Sequence, residues 1–142
     1  MSPKRRVWHL WLVGGLALLV WTQGAWDWLM MTRRDAGYLA TVPADWQALV
    51  FGQPLWVSIA WAVAVWGLFF GAVSLWLGRV WAAWLLTVAA AAIMLDQAYV
   101  YVLHPDAAAW RAQGIGMPII LCLVFAGFAA YAWVMAKREL LR

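Results

Sequence analysis

The side chains in this sequence best placed to do chemistry are two carboxylates with a glutamine each: Asp96 beside Gln97, and Asp27 with Gln23 four residues before it. All four fall in strongly apolar surroundings, where an ionisable group costs about 2.5–3.5 kcal/mol at mid-membrane depth and so calls for a reason. Asp96 lies roughly 24 Å along a helix from Val80, at about 1.5 Å per residue. One reading joins Asp96, Gln97, Asp27 and Gln23, with Trp21 and Trp61 as walls, into an outward-opening polar pocket for a cation, a proton or a small hydroxylated solute. The other has Asp96 hydrogen-bonding a neighbouring helix to set its register, and Asp27 paired with Arg33 and Arg34 near the membrane surface. Other chemistry has little to build on. Cys122 is the single cysteine and sits between Leu121 and Leu123, which excludes an internal disulfide, a CxxC centre and a thiolate metal cage. His9 and His104 are placed on opposite sides of the membrane and cannot share a metal or a haem; His104 beside Pro105 and Asp106 reads as an exposed helix start or a weak ion contact. No Ser-His-Asp set, phosphate-binding glycine loop or HExxH is present, so no catalytic residue, metal or cofactor is assigned and the chain is not read as an enzyme.

The elements that must hold these residues follow from composition. Of 142 residues, 68% are hydrophobic and 11% charged, against about 25% charged in a typical soluble domain. A chain this short has too little interior to hide so much apolar surface, so the excess must meet lipid. Apolar runs of spanning length cover residues 7–31, 54–77, 80–103 and 118–135. The expected fold is an all-α membrane protein, one domain over residues 1–142, built as an antiparallel four-helix transmembrane bundle with short interfacial helices in the outer loops. The first run follows Lys4, Arg5 and Arg6 as a secretory signal would, but it is longer than the roughly 7–15 apolar residues of a cleaved segment. Lys4, Arg5, Arg6, Arg79, Lys137, Arg138 and Arg142 fall on one face, against Arg33, Arg34 and Arg111 on the other. The positive-inside rule then puts both ends of the chain in the cytoplasm, with the two long loops facing outward. The net charge of +4 is accounted for by that topology and by anionic lipid, so no nucleic-acid partner is inferred.

Most of the fourteen tryptophans sort to the membrane borders, where an indole keeps its ring among acyl chains and its N–H among headgroups. Trp21, Trp61 and Trp66 lie deeper, as pocket walls or packing between helices. Ala60, Ala64, Gly67, Gly71, Ser74 and Gly78 recur at steps of three and four, forming a stripe that includes a GxxxG and suits close helix contact. On the third run Ala82, Ala89, Ala92 and Asp96 share a face expected to point inward, leaving Trp84, Val88, Ala91 and Leu95 towards lipid; Gly127 and Ala130 offer contact on the fourth. In the first outer loop Thr32 and Asp35 read as a capping box. Pro43 reads as a first helical position, leading to Trp46, Leu49 and Val50 before Gly52. In the second, Pro105 and Asp106 open a short segment that presents Trp110 and stops at Gly114.

Asp27 with Met30 and Thr32, Tyr38 with Leu39, and the stretch from Pro54 and Trp56 through Trp61, Trp66 and Gly67 to Gly71 resemble a family of small four-span bacterial inner-membrane proteins of unassigned activity. The likeness covers about the first half of the chain. Some members are labelled sugar transporters, and the resemblance implies the membrane fold without assigning a role to any residue. Small multidrug exporters also have four spans, but their first helix carries a mid-membrane acid where this chain has Leu16, Ala17, Leu18, Leu19 and Val20. Membrane glutathione-handling enzymes are similar in length, but they need Arg and Glu within the bundle that this chain lacks. Two functions are carried forward. The first is an accessory subunit or homo-oligomer that associates through the small-residue seam and the outer loops. The alternative is a proton- or cation-coupled small-solute transporter centred on Asp96. A membrane enzyme would require an outer cleft with several converging polar groups.

Overall fold

Proline and glycine mark most element boundaries. In the computed structural model, which describes residues 8–103 and 116–142, every regular element is helical. α1 (Trp8–Arg33) is followed by the single turn α2 (Ala36–Leu39) and by α3 (Ala44–Gly52). Pro54 starts α4 (Leu55–Trp76), which turns back into α5 (Trp81–Ala98); α5 widens into a π-helical turn over Tyr99–Leu103, and α6 (Gly116–Lys137) completes the chain's long helices. Three of these are long and apolar enough to cross a membrane: Leu55–Trp76, Trp81–Leu103 and Gly116–Lys137. At 26 residues α1 has the length as well, but His9, Gln23, Asp27 and its tryptophans dilute its hydropathy. The second outer loop, with His104, Pro105, Asp106, Trp110, Arg111 and Gly114, lies outside the described residues, as do Lys4, Arg5 and Arg6.

α4 and α5 form a tight hairpin. Gly78 at φ 70 supplies the left-handed residue that ends α4, and the amides of Gly78 and Arg79 return to Leu75 and Ser74 at 3.0 and 2.7 Å, satisfying carbonyls the helix end would orphan. The small-residue stripe lies in this contact. A Cβ on Gly67 would stand 3.0 Å from Ala89 Cβ, and one on Gly71 would stand 2.7 Å from Leu86 Cδ2; Ala60 and Ala64 are buried alongside. At Gly67 and Gly71 the stripe is thus met by α5 of the same chain. On α5 the anticipated faces are observed: Ala82, Ala89, Ala92 and Asp96 are buried, while Trp84, Val88, Ala91 and Leu95 are exposed.

α1 packs on α4, and α6 on α5. The α1 contact comes closest at Gly14, where an added Cβ would meet the Trp76 backbone at 2.9 Å, with Trp11 edge-on to Trp76 beside it. Side chains link α1 to α6: His9 shares a hydrogen bond with Tyr131, and Trp21 meets Phe125 and Phe128 edge-on. Trp133 donates its indole N–H to Thr87 Oγ1 at 2.9 Å, tying α6 to α5. Gly127 and Ala130 do not serve packing as expected. Both are exposed, and nothing lies within 4 Å of a Cβ on Gly127, because α6 turns Phe125, Ala129 and Ala132 inward instead.

After α6, Glu139 takes φ 55, and the amide of Leu140 returns to Met135 at 3.0 Å. This turn lays residues 140–142 against the α4–α5 connection. Arg142 donates its amide to Gly78 at 2.8 Å and accepts from Val80 at 2.9 Å, while Leu141 is buried.

Candidate functional site

At the end of the helices away from the α4–α5 turn, five elements converge on Asp96. It is the one buried charged side chain among the described residues, 8% exposed, and Gln97 Nε2 donates to its Oδ2 at 3.0 Å. It borders a chamber of ≈ 480 Å³ to which α1 contributes Asp27, α3 Trp46 and its C-cap Gln53, α4 Trp61, the π turn Tyr101, and α6 Met117. A second cavity of ≈ 670 Å³ lies between α1, α4 and the α2–α3 segment, reaching Met31, Tyr38 and Asp45. Asp27, Trp46 and Trp61 border both and form the shared wall.

Local hydrogen bonding explains why this arrangement is held. Asp27 accepts from Gln23 Nε2 at 2.8 Å, one turn earlier on the same helical face. Tyr38 borders the second cavity together with Asp27. Burial, and then the hydrogen bond to Asp27 and its negative charge, push the Tyr38 hydroxyl above its ordinary value of 10.0. Tyr38 is itself positioned by α2, whose N-cap is Asp35, accepting from the Tyr38 amide at 2.8 Å. The Thr32–Asp35 capping box is therefore corrected: α1 runs on through Arg33, so Thr32 is still helical and Asp35 caps alone. Pro43 is likewise the N-cap of α3 rather than its first residue.

The α2–α3 segment forms a structured cover. Gln47 Nε2 donates to the carbonyls of Leu39 and Val42 at 2.8 and 2.9 Å, binding α3 to the end of α2. Gln53 Nε2 donates to Ser58 Oγ at 3.1 Å across the bend into α4. These bonds hold the half-buried face of Trp46, Leu49 and Val50 over the chamber.

Of the residues singled out from the sequence, Asp96, Gln97, Asp27 and Trp61 share the chamber, and Gln23 stands behind Asp27 without lining it. Trp21 is elsewhere. Six residues before Asp27, at about 100° per residue, it points to another side of α1 and packs on Phe125 and Phe128 at 5.1 and 6.1 Å. Its buried indole N–H has no partner among the described residues. Trp61 meets Trp28, as does Trp66, so Trp61 both packs and lines. Among the described residues the partners of Asp27 are Gln23 and Tyr38 rather than arginine, and the Arg34 guanidinium lies over the Phe51 ring at 4.6 Å.

Sequence reasoning left out Gln53, Tyr101 and Met117. Helical periodicity carries no signal for the π turn that brings Tyr101 to the face of Asp96 and Gln97, although such turns recur at functional sites. No three His, Cys, Asp or Glu side chains gather as a metal site among the described residues. What the chamber offers chemically is two carboxylates and amide groups against aromatic walls, with no Lys, Arg or His among its described lining. No known family, curated protein or solved structure matches this chain.

Proposed function

We propose that this chain is a small-solute carrier of the bacterial inner membrane. It would cross as an antiparallel bundle of four spans with both ends of the chain cytoplasmic, and use the chamber around Asp96 as its binding site and Asp96 as the group that couples solute to a proton or cation. The observation that carries this reading is the placement of Asp96: an acid with little solvent exposure, bordering a ≈ 480 Å³ chamber under a hydrogen-bonded cover. An acid that only fixed helix register would be sealed between helices, as Ala64 and Ala89 are. The charge bias supports the orientation, setting the chamber and α3 on the outer side. The order of side-chain contacts supports the bundle. Reading up α1 from His9 to Trp21 runs down α6 from Tyr131 to Phe125, and from Gly14 to Trp28 runs down α4 from Trp76 to Trp61. The accessory-subunit reading loses part of its support, because Gly67 and Gly71 of the stripe are met by α5 within the chain.

Water access to the chamber separates the two. With Cys122→Ala as background, Ile93→Cys puts a thiol on the chamber wall at a position only 5% exposed. A membrane-impermeant methanethiosulfonate should label it in right-side-out vesicles, and Val50→Cys on the cover gives a second position that perturbs the core less. Protection of both thiols from either face would mean a sealed contact and defeat the proposal. In proteoliposomes Asp96→Asn should abolish coupled uptake while the protein still purifies folded; a change confined to assembly state would restore the accessory reading.

A further inference from the structure

A third cavity, ≈ 360 Å³ and almost wholly apolar, runs between the end of α5 and the start of α6, bordered by Met94, Ala98, Ile119, Cys122 and Leu123. It shares Gln97, Tyr101 and Pro118 with the Asp96 chamber. Ile119 and Leu123 are 52% and 66% exposed, on the apolar surface that a bilayer would cover. The Asp96 chamber and this slot, which faces acyl chains, therefore lie side by side against Gln97, Tyr101 and Pro118. Building on the chamber reading above, we infer that the ligand is a single-chain cationic amphiphile, its ammonium head held between Asp27 and Asp96 and its alkyl chain lying in the slot.

Charge and ring geometry select the head. The side chains that can carry charge at neutral pH on the described lining are both carboxylates, so an anionic head would meet repulsion and a cation would meet attraction. Trp46, Trp61 and Tyr101 line the chamber as well, and aromatic side chains are the type that encloses quaternary ammonium groups. The slot selects the tail, since a free water-soluble cation has no use for an apolar groove on the lipid side. A chain already dissolved in lipid gains little from moving into an apolar groove. The slot's contribution is a lateral route, which raises the concentration of amphiphile at the chamber relative to a head group arriving from water.

Protection of the Ile93→Cys thiol, in the Cys122→Ala protein in nanodiscs, tests this with dodecyltrimethylammonium, tetramethylammonium and dodecyl sulfate as probes. Dodecyltrimethylammonium should slow methanethiosulfonate labelling at about a tenfold or lower concentration than tetramethylammonium, and dodecyl sulfate should not protect. Ala98→Phe, which fills the slot from an exposed position, should remove the advantage of the dodecyl chain and leave protection by tetramethylammonium unchanged. Equal protection by the sulfate and the ammonium, or a chain advantage that survives Ala98→Phe, overturns the inference. A reactive thiol that no probe protects also overturns it while leaving the chamber intact, whereas a thiol that never reacts removes the chamber itself.

Discussion

Gly14 and Gly15 are neighbours on α1, and replacing each by alanine should move stability in opposite directions. A Cβ on Gly14 would lie 2.9 Å from both N and Cα of Trp76 and 3.0 Å from its Cβ. Carbon atoms in favourable contact sit at about 3.5–4.0 Å, so the shortfall is roughly half an ångström or more. The opposing atoms are backbone and cannot rotate away; α1 must lift from α4, disturbing the edge-on pair of Trp11 and Trp76 at 5.0 Å. Overpacking of this kind costs about 1–3 kcal/mol, offset by about 0.5–1 kcal/mol from replacing a mid-helix glycine. Gly14→Ala should therefore come out destabilised, by up to about 2.5 kcal/mol. Around Gly15 nothing lies within 4 Å of the added carbon, so Gly15→Ala should keep only the helical gain. Reversible unfolding in mixed dodecyl sulfate micelles, followed by tryptophan fluorescence, would measure both. Asp27 lies thirteen residues further on, roughly 20 Å at about 1.5 Å per residue, so labelling of Ile93→Cys should not change in either variant. Equal stabilities for the two variants, or a more stable Gly14→Ala, would show that α1 and α4 do not cross at this point.

Tyr38→Phe removes the hydroxyl that interacts with Asp27 and should loosen the α2–α3 cover, read as faster proteolysis between residues 36 and 53. Because the folded protein holds the Tyr38 proton more tightly than the ordinary 10.0, the stability this group contributes is complete below pH 10.0 and falls as pH rises through the folded value. Wild type should lose cover protection in that alkaline window, a step missing from Tyr38→Phe. Glu139→Gly places the one residue without a Cβ at φ 55 and should stabilise the turn after α6 by up to about 1 kcal/mol, net of the glutamate's own contacts, in the same unfolding assay. Thr87→Val strips the acceptor from the Trp133 indole N–H and should cost about 0.6 kcal/mol, the average for hydrogen bonds between membrane helices, and no more than about 1.7 kcal/mol.

How much of this could be read in advance depended on what each helix offered as an orientation signal. For a helix facing lipid on one side and protein on the other, hydropathy is high all round, so only small residues and polar residues indicate which way it turns. α5 carries both on one face, Ala82, Ala89 and Ala92 with Asp96, and its rotation could be stated residue by residue. α4 carries a long stripe of small residues ending in the Gly78 turn, and its contact with α5 was legible for the same reason. α1 sends conflicting signals: Gln23 and Asp27 mark one side, while Gly14 faces Trp76 and the deep Trp21 faces α6. Grouping Trp21 with Asp27 therefore failed, although the six-residue interval between them already argued against a shared face. α6 offers only Gly127 and Ala130, and a small residue promotes contact only where a neighbour arrives to use the space. The chamber's cover depends on something periodicity does not encode at all, since Gln47 and Gln53 act by bonding partners up to eight residues away across the breaks between helices. Asp96 and Asp27 were visible as costly residues needing a reason. What brings them to one cavity is the packing of α1 on α4 and of α4 on α5, which sets Asp27 and Asp96 on the lining of the same chamber although they stand on helices that hydropathy alone does not orient.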